Sequence, residues 1–179
     1  MRLWNGAIGM EIWDLVDEYR NPIGKLHVKG KELMPGEYHV SVEVFTINKD
    51  GRILLTQRSP FKSYPLLWES TGGAVHGGEK SMEGATRELA EETGLLVKSE
   101  DLQYLGEIKR ENSFLDCYLW VSSEHINIHE LTLQAGEVNA ARLVTSTELI
   151  EMNNAGQIVP PVWERYQLFC EKLADFVIK

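Results

Sequence analysis

The sequence predicts an α+β fold in which strands, a helix, further strands and a final helix follow one another along the chain. Two observations support this prediction: apolar, strand-like runs are separated by turn residues, and two segments show helical spacing. The length of 179 residues suits one compact core. We expect a single domain over residues 11–179, preceded by residues 1–10, which carry little pattern and fit a frayed N-terminal extension.

The first part of the chain predicts an edge strand and a hairpin. Residues 11–19 mix apolar and acidic side chains, and residues 21–24, Asn-Pro-Ile-Gly, are typical of a turn. Residues 38–47 are rich in Val and Phe, and an Asp50-Gly51 pair separates them from the apolar residues 52–56. An Asp-Gly pair between two apolar runs is a strong hairpin signal.

A helix is predicted from Ser81 to Gly94. A Ser at the start and a Gly at the end match the residue preferences of helix caps. This helix separates the two groups of strands.

The second half of the chain predicts more strands and two helices. Alternating residues over 114–121 suit a strand that is buried on both faces. The other predicted elements are strands at 102–108 and 140–144, an irregular segment at 122–137 and a short helix at 146–152. A final helix follows Pro160-Pro161, where the residues at helical spacing are Val162, Tyr166, Phe169, Leu173 and Val177.

Composition narrows the range of partners. Hydrophobic residues make up 43% and charged residues 25%, which argues against wholesale disorder. The formal net charge is −9 with no basic face, so we expect no nucleic acid partner. Because acidic side chains repel phosphates, an anionic substrate would need a cation to mediate its binding.

The cysteines and the apolar runs point to a cytoplasmic protein. Cys117 and Cys170 are too few and too far apart for a disulfide framework or a zinc site, and we interpret both as small buried hydrophobic residues. No apolar run reaches the length that spans a bilayer, and the first residues lack the pattern of a secretory signal. We therefore expect a reducing, cytoplasmic setting and no membrane partner.

The predicted central helix carries an acidic stripe. At 3.6 residues per turn, Arg87, Glu88, Glu91 and Glu92 fall within an arc of roughly 140°. The like charges repel by a few tenths of a kcal/mol per pair unless something positive lies among them. An acidic face in solvent is the ordinary alternative, but clustered oxygen ligands of this kind suit Mg²⁺ or Mn²⁺.

The spacing around this stripe resembles the signature of the Nudix family without a departure. The matching residues are Gly73, Glu79, Arg87, Glu88, Leu89, Glu91, Glu92, Gly94 and Leu95. The resemblance implies a mixed β-sheet sandwiched between helices, with a loop-helix-loop catalytic segment. It further implies that Glu88, Glu91 and Glu92 bind a divalent metal together with the backbone carbonyl of Gly72. Gly73, Glu79 and Arg87 take a supporting role in which Glu79 and Arg87 pair, and direct metal binding by Glu79 stays open.

The reaction that the resemblance implies is hydrolysis of a diphosphate linkage in a nucleoside diphosphate derivative or a related small molecule. Besides Glu88 on the helix, two carboxylates are candidates for the catalytic base: Glu91 of the helix and Glu137 of a later loop. For Glu137, a loop carboxylate exposed to solvent is an equally good interpretation.

Two other functions compete with hydrolysis. Residues outside the signature, including Gly24, His39, residues 51–59 and Trp68, resemble the subgroup related to isopentenyl-diphosphate isomerase. In that family the isomerase needs a Cys and a metal-binding His soon after the Trp, and residues 68–74 contain neither. The third function is a non-catalytic module that senses a nucleotide, against which the intact carboxylate set argues.

Three residues are candidates for substrate binding. Arg58 precedes a loop at a place where this subgroup often contacts phosphate, and a surface salt bridge is the alternative. His76 lies between Gly73 and Glu79, and either a contact to substrate or exposure to solvent fits. His39 fits a structural or substrate-facing role. Family members are often dimers, which leaves both a monomer and a homodimer open, and the final helix fits a core cover or a dimer surface.

Overall fold

The computed structural model describes residues 11–179, so the extension predicted for residues 1–10 lies outside the described residues. In chain order the elements are β1 (Ile12–Val16), β2 (Pro22–Val28), β3 (His39–Ile47), β4 (Ile53–Arg58), β5 (Trp68–Glu69), β6 (Thr71–Ala74), α1 (Ser81–Thr93), β7 (Gln103–Lys109), β8 (Ser113–Val121), β9 (Val138–Val144), α2 (Ser146–Asn154) and α3 (Pro160–Leu173). Across these residues, no helix combines the length and apolarity needed to cross a bilayer. The predicted α+β class is confirmed.

A seven-stranded mixed sheet forms the centre of the fold, and β1 and β2 form a separate antiparallel hairpin. Strand β3 pairs in parallel with β8 along its whole length. Its other edge is shared between two strands: residues 41–44 pair with β6, and residues 46–47 pair with β4. The sheet therefore splits into two branches beyond this edge of β3.

Helices cover both faces of the sheet. Alternate residues of β3 point to opposite faces, as they do in any strand. Val42 and Val44 pack in a cluster with Leu89 of α1, whereas Phe45 and Ile47 pack in the larger cluster that α2 and α3 cover. Apolar burial on both sides explains why β3 and β8 are buried along most of their length.

Most of the predicted elements are confirmed. The Asp50-Gly51 pair connects β3 to β4 as an antiparallel hairpin. Helix α1 ends at Gly94, whose φ of 77° is the left-handed conformation that glycine adopts at helix C-termini. The final helix buries four of the five residues named for it: Val162, Tyr166, Phe169 and Leu173.

The turn predicted at residues 21–24 is wrong. The chain turns earlier, where the Asp17 carboxylate accepts hydrogen bonds from the backbone N–H groups of Tyr19 (2.9 Å) and Asn21 (2.8 Å). Pro22 then starts β2, a position at which a missing N–H is tolerated. Beyond the hairpin, the short strands β5 and β6 also lacked a sequence signal.

Two predictions about single side chains are wrong. Ser81 does not cap α1, because Lys80 occupies the cap position while the Ser81 hydroxyl donates to Asp116 and lies 2.9 Å from the Tyr118 hydroxyl. Cys117 is buried as predicted, but Cys170 is exposed because it lies on the outer side of α3.

A buried acid ties the hairpin to the sheet. Asp116 of β8 is almost fully buried, and Arg20 of the β1–β2 turn donates to both of its oxygens, at 2.7 and 2.5 Å. The same guanidinium contacts Glu107 of β7. The hairpin is therefore fixed against the sheet by a charged contact between residues far apart in the sequence.

Gly72 should be one of the positions most sensitive to an added methyl group. A Cβ there would lie 2.4 Å from the backbone oxygen of Val42, so β6 would have to move away from β3. We expect Gly72→Ala to lower the free energy of unfolding by about 1–3 kcal/mol. Urea unfolding measures this change.

Gly77→Ala is the matched control, because the nearest atom to its added Cβ lies 3.5 Å away. We expect it to change the free energy of unfolding by no more than about 0.5 kcal/mol. Equal losses in the two variants would contradict the close approach of β6 and β3.

Candidate active site

A cleft of about 920 Å³ lies between α1, β6, the β1–β2 hairpin and the loop at residues 132–137. This cleft brings together most of the site residues predicted from the sequence. They are Gly72, Gly73, His76, Arg87, Glu88, Glu91, Glu92 and Glu137. Glu79 lies beside the cleft as a partner of Arg87, whereas Arg58 and His39 lie outside it.

Arg87 is the positive charge within the acidic stripe. Its guanidinium donates to both oxygens of Glu79, at 2.9 and 3.1 Å, and to one oxygen each of Glu88 and Glu91, both at 2.9 Å. It also donates to the backbone oxygen of Ala74 at 2.8 Å. One side chain therefore joins α1, the loop before it and the end of β6.

The contacts with Arg87 offset the partial burial of its partner Glu79. Burial alone would raise the pKa of Glu79, but hydrogen bonds from Arg87 and from the backbone N–H of His76 lower it below its usual value. Glu79 is thus held in its charged form. It fixes the loop between His76 and α1.

Glu88 lies directly against Gly73. A Cβ at residue 73 would be 2.2 Å from the Glu88 carboxylate, so only glycine leaves room for that side chain. Burial raises the pKa of Glu88, and the attraction of Arg87 only partly opposes this effect. Only one of its two oxygens accepts a hydrogen bond within residues 11–179.

Glu92 is the least compensated acid of the cleft. Its side chain is only 3% exposed, and its Oε2 atom has no hydrogen-bond partner among the described residues. Burial, followed by the nearby charge of Glu69, raises its pKa to about 8. A buried carboxylate oxygen without a donor is expected to be costly, and a bound cation would compensate it.

The carboxylates of α1 are not arranged around a common point in this structure. Within residues 11–179 no cluster of three or more acidic, His or Cys side chains is arranged to hold a metal ion. Arg87 contacts one oxygen of Glu88 and one of Glu91. The other oxygen of each residue accepts no hydrogen bond from the described part of the chain.

Glu137 lies at the mouth of the cleft, paired with Lys62 at 2.5 Å. Its loop is attached to α1 because the Thr132 N–H donates to Thr93 O at 3.0 Å and the Gln134 N–H donates to Glu92 O at 3.3 Å. Glu137 is therefore neither a carboxylate free in solvent nor part of the helix cluster. It lines the cleft as part of an ion pair with Lys62, a long-range contact for which the sequence has no signal.

The three candidate substrate-binding residues lie in different places. His76 lines the cleft. Arg58 lies in a separate groove and pairs with Glu69 at 2.7 Å, in a salt bridge that is largely shielded from solvent. His39 stacks on Trp13 at 4.4 Å between ring centroids and borders a second cavity, and burial lowers its pKa.

Several residues that line or adjoin the cleft were missed by sequence reasoning. Trp13 and Lys29 reach the cleft from the hairpin, and Lys62 reaches it from the loop after β4. These contacts are long-range, and no local pattern indicates them. Glu43 carried a signal that was not used, because an acidic residue interrupts the apolar run of β3.

Comparison with known proteins identifies related sequences. A profile of the NUDIX domain matches residues 37–164. An uncharacterized Nudix hydrolase of Listeria monocytogenes is 35% identical over 153 residues, covering 84% of this chain and 89% of the relative. An isopentenyl-diphosphate Delta-isomerase of Streptomyces avermitilis is 30% identical over 159 residues, covering 82% and 77% of the two chains.

Solved structures share the fold at lower identity. The protein DR0079 of Deinococcus radiodurans superposes with a TM-score of 0.67 at 24% identity, covering 83% of this chain and 92% of that one. A bifunctional NMN adenylyltransferase/ADP ribose pyrophosphatase of Francisella tularensis, complexed with AMP and a manganese ion, superposes with a TM-score of 0.62 at 19% identity. That match covers 80% of this chain and 43% of the Francisella chain.

The burial of Glu92 predicts a pH-dependent stability in the absence of metal. Between its ordinary pKa of 4.5 and the folded value of about 8, the folded state keeps a proton that the unfolded state releases. Stability of the metal-free protein therefore falls as pH rises through this window. We expect Glu92→Gln to raise the free energy of unfolding in EDTA at pH 8 by about 1–3 kcal/mol, with a much smaller gain at pH 5.

Urea unfolding at the two pH values measures the gain. Glu171→Gln, which removes an exposed carboxylate of α3, is the control and should show no such dependence. A gain from Glu92→Gln that is the same at pH 5 and pH 8 would contradict the shifted pKa.

Proposed function

The chain belongs to the Nudix family of hydrolases that act on pyrophosphate bonds, and we propose that it cleaves the diphosphate linkage of a nucleoside diphosphate derivative with a divalent cation, Mg²⁺ or Mn²⁺. The observation that carries the proposal is the buried Oε2 atom of Glu92, which has no hydrogen-bond partner within residues 11–179 and lies in a cleft with Glu88 and Glu91. Hard divalent cations prefer oxygen ligands of this type.

Glu88, Glu91 and Glu92 would hold the cation, together with the backbone oxygen of Gly72 at the floor of the cleft. Glu88 and Glu91 each keep one oxygen that accepts no hydrogen bond from the described residues, and these two oxygens would be available to the cation. A divalent cation in such a site offsets phosphate charge and lowers the pKa of a bound water.

The protein's own groups would position the substrate and accept a proton. Lys29 and Lys62 line the cleft, where they are paired with Glu11 and Glu137, and would turn their positive charge to the phosphate oxygens. Glu91 and Glu137 are the two candidates for the base that takes the proton from the attacking water. Glu137 serves only when the Lys62 ammonium turns towards phosphate, because the two side chains are paired in this structure.

The size and walls of the cleft support a nucleotide-like substrate. A volume of about 920 Å³ lies within the usual range for small-molecule sites. Trp13 gives the cleft an aromatic wall suited to a base or sugar ring. The Francisella structure described above, which shares the fold, is complexed with AMP and a manganese ion.

Hydrolysis is preferred over isomerisation although isomerases are among the relatives. Residues 68–74 offer neither the Cys nor the His expected of the isomerase. Cys117 is completely buried on the sheet face covered by α3, and burial raises its pKa to about 12. It therefore cannot replace the missing Cys in the cleft. A sensing module without catalysis would show tight ligand binding with no single-turnover hydrolysis.

We propose that the protein acts in the cytoplasm and that its partner is a small-molecule substrate. We propose further that it binds neither nucleic acid nor a membrane. The net charge of −9 supports the exclusion of nucleic acid. The exposed Tyr64 and Leu168, which line one groove, support a homodimer. Light scattering of the full chain measures its mass and tests the dimer.

The test is release of phosphate or nucleotide from a panel of nucleotide sugars, dinucleoside polyphosphates, nucleoside di- and triphosphates and coenzyme A. We expect turnover with Mg²⁺ or Mn²⁺ that EDTA abolishes. Glu91→Gln and Glu92→Gln should each lower kcat/KM by at least about 100-fold, since each removes a charged ligand or base.

Glu171→Gln is the matched carboxylate-to-amide control and should keep full activity. Circular dichroism should find all three variants folded. Absence of turnover across the panel would contradict the proposed function, and loss of folding in step with activity would assign Glu91 and Glu92 a structural role.

A further inference from the structure

A second cavity of about 400 Å³ adjoins the active cleft. The two share Gly72, Gly73 and Ala74, the last three residues of β6, which form the wall between them. The second cavity extends along the side of β3 that carries Ser41 and Glu43. The two spaces therefore adjoin each other across a single strand.

Most charges around this cavity already have partners. Glu43 is only 2% exposed, and it accepts hydrogen bonds from Arg165 of α3 and from the Ser70 hydroxyl. Glu69 pairs with Arg58 at 2.8 and 2.7 Å. Within each of these two pairs, the charge of the arginine neutralises the charge of the acid.

Arg110 is the exception. It lies in the turn between β7 and β8 and borders the cavity near Arg165. Its side chain is partly exposed to solvent and forms neither an ion pair nor a hydrogen bond with residues 11–179, whereas Arg165, the other arginine lining the cavity, is paired with Glu43. Loss of water, followed by repulsion from Arg165, lowers its pKa. An anion beside the two guanidinium groups would relieve that repulsion.

Neutral polar groups complete the lining. Ser41 and Ser113 are buried, and Asn112 lies beside them. The Ser41 hydroxyl already donates to Phe114 O at 3.3 Å. The cavity thus offers the guanidinium of Arg110, which has no partner within residues 11–179, together with the Ser113 hydroxyl and the Asn112 amide. This chemistry suits an oxygen-rich anion and does not suit an apolar group.

We infer that this cavity binds a second anionic group of the substrate, a phosphate monoester or a carboxylate, carried on the moiety attached to the scissile diphosphate. The inference rests on the proposed function, since the diphosphate itself occupies the neighbouring cleft. It deepens that function, because it selects substrates that carry an extra negative charge close to the diphosphate.

Matched substrate pairs test this selection with the full chain. Each pair differs by one anionic group: coenzyme A and dephospho-coenzyme A, NADPH and NADH, and UDP-glucuronate and UDP-glucose. We expect the more charged member of at least one pair to have a kcat/KM at least about tenfold higher, in line with a charged hydrogen bond. Arg110→Gln should bring that ratio close to one.

Arg142→Gln is the control, because Arg142 is exposed, lies on β9 and lines neither cavity. It should leave the ratio unchanged. A ratio of one in every pair, or a preference that Arg110→Gln does not alter, would overturn the inference while leaving the proposed hydrolysis intact.

A binding measurement decides the inference if none of these compounds is hydrolysed, an outcome that would count against the proposed function. Inorganic phosphate in EDTA should then raise the Tm of the wild type and of Arg142→Gln but not that of Arg110→Gln. No rise in the wild type, or a rise in all three proteins, would overturn the inference. A phosphate-dependent Tm shift without any substrate preference in an active enzyme would mean that the cavity takes free anions and would also overturn it.

Discussion

The hydrogen bonds of Arg87 are the contact on which the organisation of the cleft depends. A helix face with several carboxylates is electrostatically unfavourable, and Arg87 offsets it from within the same face. The same guanidinium holds Glu79 and the Ala74 carbonyl. Loop, helix and strand are therefore aligned by one planar group, whose five donors suit several acceptors at once.

The divided edge of β3 explains why the acids are buried where they are. Because β6 pairs with only the first half of that edge, space remains between the two branches of the sheet. Glu43, Glu69 and Glu92 all lie near this space. The charge of Glu43 raises the pKa of Glu69, and the charge of Glu69 raises the pKa of Glu92. Among residues 11–179, arginines pair with Glu43 and Glu69, and none pairs with Glu92.

Local patterns in the sequence predicted the helices and the longer strands, because spacing and turn residues act over a few positions. The acidic stripe of α1 was predictable for the same reason, as the contact of Arg87 with Glu91 spans one helical turn. The sequence around Pro22 is ambiguous, because proline is common both in turns and as the first residue of an edge strand, where it lies here. The pairing of Arg20 with Asp116, 96 residues apart, had no local signal at all.

The contact between Glu43 and Arg165 has a consequence for how the chain is made. The two residues are 122 positions apart, so Glu43 lacks its partner until the C-terminal helix has left the ribosome. A nascent chain that collapsed earlier would bury an unpaired acid in the middle of its sheet. We therefore expect the sheet face covered by α3 to assemble only after synthesis, as the slow, long-range step of folding.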